Sequence, residues 1–205
     1  MNRRKRSGQA GRVVTVAALV LMGLLWARLL VVHPRAEDGG EPSDPQRAQL
    51  AQHKLTELSG ALNRLSDAAH HGKAGATTVQ FSAAEINAML TEDPEVRGAL
   101  EDARISSPEV RLQRGRVITT ATVEKGSTVI PITAEGELTA RGGMLLYASD
   151  RVRLAGVPTT GSVRDSIDTR IQEAFRRLEQ RTHARVDRVT VGPDRITLYL
   201  SSRAE

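Results

Sequence analysis

Apolar positions fall along this chain in three rhythms, and each predicts a different element. The first is an unbroken run, Val13–Val32, whose fifteen residues from Val13 to Ala27 carry no charge and whose one charge is Arg28. Twenty residues at about 1.5 Å each make a helix of about 30 Å, enough to cross the hydrocarbon core of a bilayer. The second rhythm alternates steps of three and four: Ala48, Ala51, Leu55, Leu58, Leu62, Leu65 and Ala69. That spacing predicts an amphipathic helix over 47–71. The third begins at Ile105, where runs rich in Val, Ile and Thr alternate with glycine turns at Arg114-Gly115, Gly126-Ser127 and Gly142-Gly143. Short turns between such runs predict four antiparallel strands in a meander.

Local signals sharpen these elements. Asp44-Pro45 starts the 47–71 helix, with Asp as cap and Pro at the first helical position. His70-His71-Gly72 ends it. Thr77–Phe81 is a short strand, and Phe81-Ser82-Ala83-Ala84-Glu85-Ile86 follows at once. Ser82 and Glu85 stand as a capping box, Phe81 and Ile86 as a hydrophobic staple, so a helix starts at Ser82. Asp93-Pro94 starts another, bearing Val96, Ala99, Leu100 and Ala103. Within the meander, apolar residues at Val129-Ile130 and Met144-Leu145-Leu146 fall on both faces, which predicts a sheet covered on both sides there. Pro131 and Gly136 interrupt one strand and predict an edge, a bulge or a close approach. Ser162 caps a long helix with the stripe Val163, Ile167, Ile171, Ala174, Phe175 and Leu178. The chain closes on a hairpin, ARVDRVTV and RITLYL around Gly-Pro-Asp. The fold expected is α+β: a transmembrane helix, an amphipathic helix, then an antiparallel meander packed by the long C-terminal helix and closed by the hairpin.

Charge fixes the topology. The formal charge is +5, and Arg3, Arg4, Lys5, Arg6 and Arg12 account for all of it. A basic leader with no acid stays in the cytoplasm, which places the rest of the chain outside the cell membrane as a single-pass protein. A cleaved signal peptide is the rival reading, but Leu25-Trp26-Ala27 puts a large residue where cleavage needs a small one. The division expected is a leader at 1–12, an anchor at 13–33, a proline- and acid-rich linker at 34–46, an amphipathic or stalk helix at 47–71, and an extracytoplasmic domain at 77–202. Beyond the leader, acids and bases balance, and the chain holds five aromatic residues. Nucleic-acid platforms stack bases on more aromatic faces than that, so no nucleic-acid partner is expected. The absence of cysteine removes disulfides, thiol catalysis and lipoprotein acylation.

Candidate chemistry is sparse. Glu135 and Glu137 share a strand face, which in most sheets is the wet side. Asp150, Asp165 and Asp168 flank the entry to the long helix and serve as helix-start charges. His70 and His71 suit a helix C-terminus better than a metal site. Ser162 and His183 lie at opposite ends of a helix, too far apart to act as nucleophile and base. No P-loop, GxSxG or HExxH occurs. The expectation is no enzyme, no catalytic residues, no metal and no cofactor.

The segment FSAAEINAML at Phe81–Leu90, then GELTARGGMLLYASDRVRLAGVP, then the VDRVTVGPDRITLYL hairpin together resemble two groups of bacterial envelope proteins. These are the YpmS-like single-pass proteins and the LmeA-like proteins, whose domains look like members of the tubular lipid-binding superfamily. The resemblance implies a curled sheet around a helix able to hold an acyl chain, and it brings no catalytic residues. Two functions follow. One is a binding module for a lipid or other apolar ligand at the envelope, with a groove lined by Ile130, Ile132, Gly136, Leu146, Ile167, Ile171 and Phe175. The other is a structural or assembly subunit without a ligand, which a homodimer through 48–69 would suit. The topology is checked by fusing a reporter after Glu205: an export-dependent reporter should be active and should fractionate with membranes. A soluble mature form beginning near Arg28 would contradict it.

Overall fold

The computed structural model describes residues 44–159 and 184–202 and, between them, the helical positions 161, 164, 165, 168, 169, 171, 172 and 176. The expected anchor at 13–32 lies outside these residues. Among the described residues, no helix is long and apolar enough to cross a membrane. The architecture is α+β with antiparallel sheets. In chain order the elements are α1 (Pro45–His70), β1 (Ala76–Ser82), α2 (Ala83–Glu92), α3 (Pro94–Asp102), β2 (Ile105–Gln113), β3 (Arg116–Lys125), β4 (Thr128–Arg141), β5 (Met144–Leu154), β6 (Val157–Pro158), β7 (Ala184–Val191) and β8 (Arg195–Ser202). They form two sheets, β2-β3-β4-β5-β6 and β1-β8-β7.

Each helix ends as its sequence dictates. The Asp44 carboxylate accepts from the N–H groups of Gln46 and Arg47 at 2.9 and 3.4 Å. The Ser82 hydroxyl accepts from the Glu85 N–H at 3.2 Å, and the Glu85 carboxylate accepts from the Ser82 N–H at 2.6 Å, so the capping box is complete. At the far end of α1 the His70 and His71 rings bond the carbonyls of Ser66 and Asp67 at 2.8 and 2.7 Å. The histidine pair is thus a helix terminus, and no cluster of metal-ligating residues occurs among the described residues.

Helix α1 packs on the domain. Ala51, Leu58, Ala61, Leu62 and Leu65 are buried, with α2 and β1 against them. Each buried leucine contributes roughly 1.5–3 kcal/mol. The buried stripe departs from the expected one chiefly at Lys54, which is buried while Leu55 is only half so; Ala61 is buried as well, and Ala48 and Ala69 at the ends are half-buried. Lys54 is 5% exposed, and its ammonium has three oxygen partners: Glu57 at 2.6 Å, the Gln80 carbonyl at 2.8 Å and Glu85 at 3.1 Å. It also stands 5.6 Å from the centre of the Phe81 ring. A charge withdrawn from water needs such a set of partners. One side chain therefore joins α1 to the last strand residues of β1 and to the cap of α2.

The meander has five strands rather than four, because Val157–Pro158 returns against Leu154 and Arg153. The closing hairpin does not extend that sheet. It takes β1 as a third strand, with Val79 opposite Leu198 and Phe81 opposite Ile196. Strand β7 then meets the meander at its turns: the Gly115 N–H donates to Val191 O at 2.9 Å, and the Val186 N–H donates to Gly143 O at 2.7 Å. Cover on both faces holds only in part, since Val129 is 61% exposed while Leu146 is half-buried. Pro131 sits where β4 pairs with β3 alone, one residue before β5 joins at Ile132–Leu154, so its missing N–H leaves that ladder intact.

Lys54→Ala should lower stability by about 2–3 kcal/mol. That is less than the roughly 3–5 of a fully enclosed pair, because the Glu57 side chain is 42% exposed. The pH profile follows from two shifts. Burial pushes the Glu85 carboxyl up, but the Ser82 and Lys54 bonds outweigh it and leave the group below its ordinary 4.5. Burial lowers the Lys54 ammonium, but Glu57 and Glu85 outweigh it and leave it above 10.5. An acid with a depressed value stabilises fully above its unfolded value and loses this as pH falls through the folded one. A base with a raised value does the reverse. Chemical denaturation should therefore show the junction's contribution whole between about pH 4.5 and 10.5 and declining on both sides. In Lys54→Ala both declines should shrink.

Candidate functional site

The inner face of the five-stranded sheet is the surface on which the expected groove was placed. Alternation sends Val117, Thr119, Ala121 and Val123 of β3 to it, with Ile132, Ala134, Gly136 and Leu138 of β4 and Leu145, Tyr147, Ser149 and Val152 of β5. Regular alternation would not carry β5 through that list. Between Glu135 and Gly136 the register with β5 shifts, Gly136 facing Ser149 and Glu135 facing Arg151, so Asp150 is an extra residue. This bulge keeps Ser149 and Val152 on one face although three positions separate them. It also turns Asp150 outward, where its carboxylate lies 3.2 Å from Arg116. Arg116 pairs with Glu135 as well, and Arg151 approaches Glu135 at 3.8 Å. Glu135 therefore belongs to an ion network on the outer face and Glu137 is exposed, so the two carboxylates form no catalytic pair.

Gly136 is where the expected groove fails. A side chain there would begin 2.4 Å from the Ala148 carbonyl and 2.6 Å from the end of the Tyr147 ring. The missing Cβ admits the ring of a diagonal neighbour, an arrangement that strengthens a strand glycine. The space is filled. Of the seven groove residues, Ile132 and Gly136 are buried on the inner face and Ile130 is half-buried on the same strand side. Leu146 faces Thr139 on the opposite side of the sheet, because it is one step out of phase with Tyr147. Ile171 is 1% exposed. Ile167 and Phe175 lie outside the described residues, as do Ser162 and His183.

Of the helical positions between 161 and 176, Asp168 and Gln172 lie along the edge of β5. The Asp168 carboxylate accepts from the Ser149 N–H at 3.0 Å, and the Gln172 amide, one turn on, donates to Leu145 O at 3.1 Å. These are β5 groups that β6, pairing only with Arg153 and Leu154, leaves open. The opposite edge is closed in the same manner. The Asn87 amide donates to Val110 O at 2.9 Å and accepts from Val110 N–H at 2.6 Å, taking the place of a strand beside β2. Asp168 thus bonds the open edge of β5 from this helical segment. Burial pushes its carboxyl up, and the bonds from Ser149 hold it back.

One feature of this face was not legible in the sequence. Thr119, Tyr147 and Ser149 are 5, 4 and 5% exposed, and among the described residues their hydroxyl oxygens meet no partner at hydrogen-bond geometry, although the Ser149 hydroxyl lies near enough to the Asp168 carboxylate to favour its charged form. Thr119 flanks Ala134 on β3, Ser149 flanks Gly136 on β5, and the Tyr147 ring lies over Gly136. Adjacent strands about 4.8 Å apart and a rise of about 3.3 Å per residue put Thr119 and Ser149 about 12 Å apart, with Ala134 and Gly136 between them and the Tyr147 ring over Gly136. Burial pushes the Tyr147 hydroxyl up, and the charges of Asp168, Asp150 and Glu135 push it further, so it remains a neutral donor. Most buried polar groups in folded proteins are paired, and an unpaired one costs about 1–3 kcal/mol. Comparisons with protein-family models, with curated proteins and with solved structures find no match to this chain.

Gly136→Ala should destabilise the domain by about 1–3 kcal/mol, because the Ala148 carbonyl cannot move as a side chain can. Thermal melts of Gly136→Ala and of Gly136→Ala with Tyr147→Leu check this. The second change removes the ring but not the carbonyl, so it should restore only part of the loss.

Proposed function

We propose that this chain is a membrane-anchored extracytoplasmic binding module whose sheet interior takes an apolar ligand, a lipid among them, that carries a polar group. The observation that supports it is the trio of buried, unpartnered hydroxyls at Thr119, Tyr147 and Ser149 within an otherwise aliphatic face. Ligand sites combine apolar walls with a few convergent polar groups, and unsatisfied groups at such a place are ones a ligand would satisfy. Tyr147 supplies a donor, and the two smaller hydroxyls supply donors and acceptors. The anchor at 13–32, the outward placement of 34–205 and the likeness to lipid-binding envelope proteins are parts of this proposal. The filled space over Gly136 favours a second reading, a structural or assembly subunit of the envelope with no ligand.

The two readings separate on one substitution. Tyr147→Phe deletes a hydroxyl that bonds nothing, so it should leave the melting temperature unchanged or raise it. If the module binds a ligand, the full chain purified in mild detergent should carry a stoichiometric apolar molecule, read by extraction and mass spectrometry. The same purification of Tyr147→Phe and Ser149→Ala should yield much less of it. Stable variants and a wild-type chain without any such molecule would leave the structural reading alone standing.

A further inference from the structure

If the inner face takes a ligand, as proposed above, the charges around that face decide what the ligand's polar end is. The buried residues that β3, β4 and β5 turn to it are aliphatic, glycine or hydroxylic, and none carries a charge. Arg116 and Arg151 of the same strands stand on the outer face. There Glu135 and Asp150 engage Arg116, and Glu135 lies 3.8 Å from Arg151. An ionised carboxylate or phosphate brought to the inner face would therefore meet no counter-ion among these residues. A charge taken out of water without one costs far more than a neutral polar group does.

One acid borders the face. The Asp168 carboxylate accepts from the Ser149 N–H at 3.0 Å and lies near the Ser149 hydroxyl. It is also the foremost of the charges that hold the proton on Tyr147. Its field repels an anion brought to the three hydroxyls. A cation gains little there, because exposed Arg164, one turn before Asp168, already favours the carboxylate's charge. What Thr119, Tyr147 and Ser149 lack is a partner that both donates and accepts: neutral Tyr147 donates, and the other two do either. An alcohol does both on one oxygen and carries no charge. The three are spread over neighbouring strands, so a head with two hydroxyls meets more of them than a head with one. We infer that the ligand's polar end is an uncharged, hydroxylated head of the acylglycerol kind, and that Asp168 turns anionic heads away.

The test is competition for tritiated 1-oleoylglycerol on the full chain in mild detergent. Unlabelled 1-oleoylglycerol should displace it on the order of tenfold better than 1-oleoylglycerol 3-phosphate, which differs only by the phosphate. Oleylamine should compete no better than the phosphate does. Asp168→Asn removes the charge and keeps an oxygen for the Ser149 N–H, so it should narrow the margin to about threefold. Arg164→Gln, a change at an exposed side chain, should widen the margin instead, and it serves where Asp168→Asn lowers the melting temperature. Equal or better displacement by the phosphate or by oleylamine overturns the inference and leaves a lipid-binding module in place. A margin that neither variant moves overturns the role of Asp168. Failure of the labelled probe and of all three competitors to bind overturns the binding reading itself, and this inference with it.

Discussion

Lys54 is the constraint on which the rest of the fold depends. A buried ammonium is tolerable only where oxygen surrounds it, and here the oxygens come from three elements: Glu57 of α1, the Gln80 carbonyl of β1 and Glu85 of α2. Its position fixes the angle at which α1 crosses β1. Glu85 is already committed to the Ser82 N–H, so the same contact fixes where β1 stops and α2 starts. β1 in turn pairs with β8 along its length, and β7 follows on the other side of β8. An apolar side chain at position 54 would bury as well. It would not select one register between the three elements, and it would leave Glu85 half-covered without its cation.

The same economy governs the edges of the large sheet. An open strand edge exposes rows of unpaired backbone groups and invites another chain. Here Asn87 closes β2 at Val110, and Asp168 and Gln172 close β5 at Ser149 and Leu145. Asn87 belongs to the segment Phe81–Leu90, on which the likeness to envelope proteins chiefly rests. Every prominent residue of that segment now has a structural task. Phe81, Ile86, Met89 and Leu90 are core, Ser82 and Glu85 are the cap, and Asn87 is the edge. Folding accounts for each of these residues, so the proposed ligand draws its support from the sheet interior instead.

Much of the local structure was legible because it depends on neighbours in sequence. The capping box, the Asp44 and Asp93 starts, the glycine turns and the bulge near Gly136 are all set within a few residues. What was not legible depends on partners far along the chain. Leucine periodicity placed Leu55 in the stripe and left Lys54 in water, because nothing within 47–71 announces that Gln80 and Glu85 will surround it. Pairing of β1 with β8 joins residues more than a hundred apart, and no periodicity predicts it. Leu146 was assigned to the groove on hydrophobicity, whereas its face follows from strand phase relative to Tyr147. Gly136 was read as empty space. A glycine shows only that a side chain is missing, and here Tyr147 fills the gap from the neighbouring strand.

The three hydroxyls stand out against this background of satisfied groups. The domain spends side chains from two helices to pair the backbone at the sheet's edges, and Ser202 closes both the Gly75 N–H and the Lys73 carbonyl at the end of β8. Yet at the centre of the same sheet Thr119, Tyr147 and Ser149 are buried without partners, although valine, phenylalanine and alanine would fit their shapes. Such replacements are among the easiest ways to stabilise a protein, since each removes an unpaired group at little change in volume. Features that break a local rule without compensation tend to sit where function is served. The presence of three together, across neighbouring strands and around Ala134 and Gly136 of β4, fits a face that meets a polar group from outside the chain better than it fits a core built only to be filled.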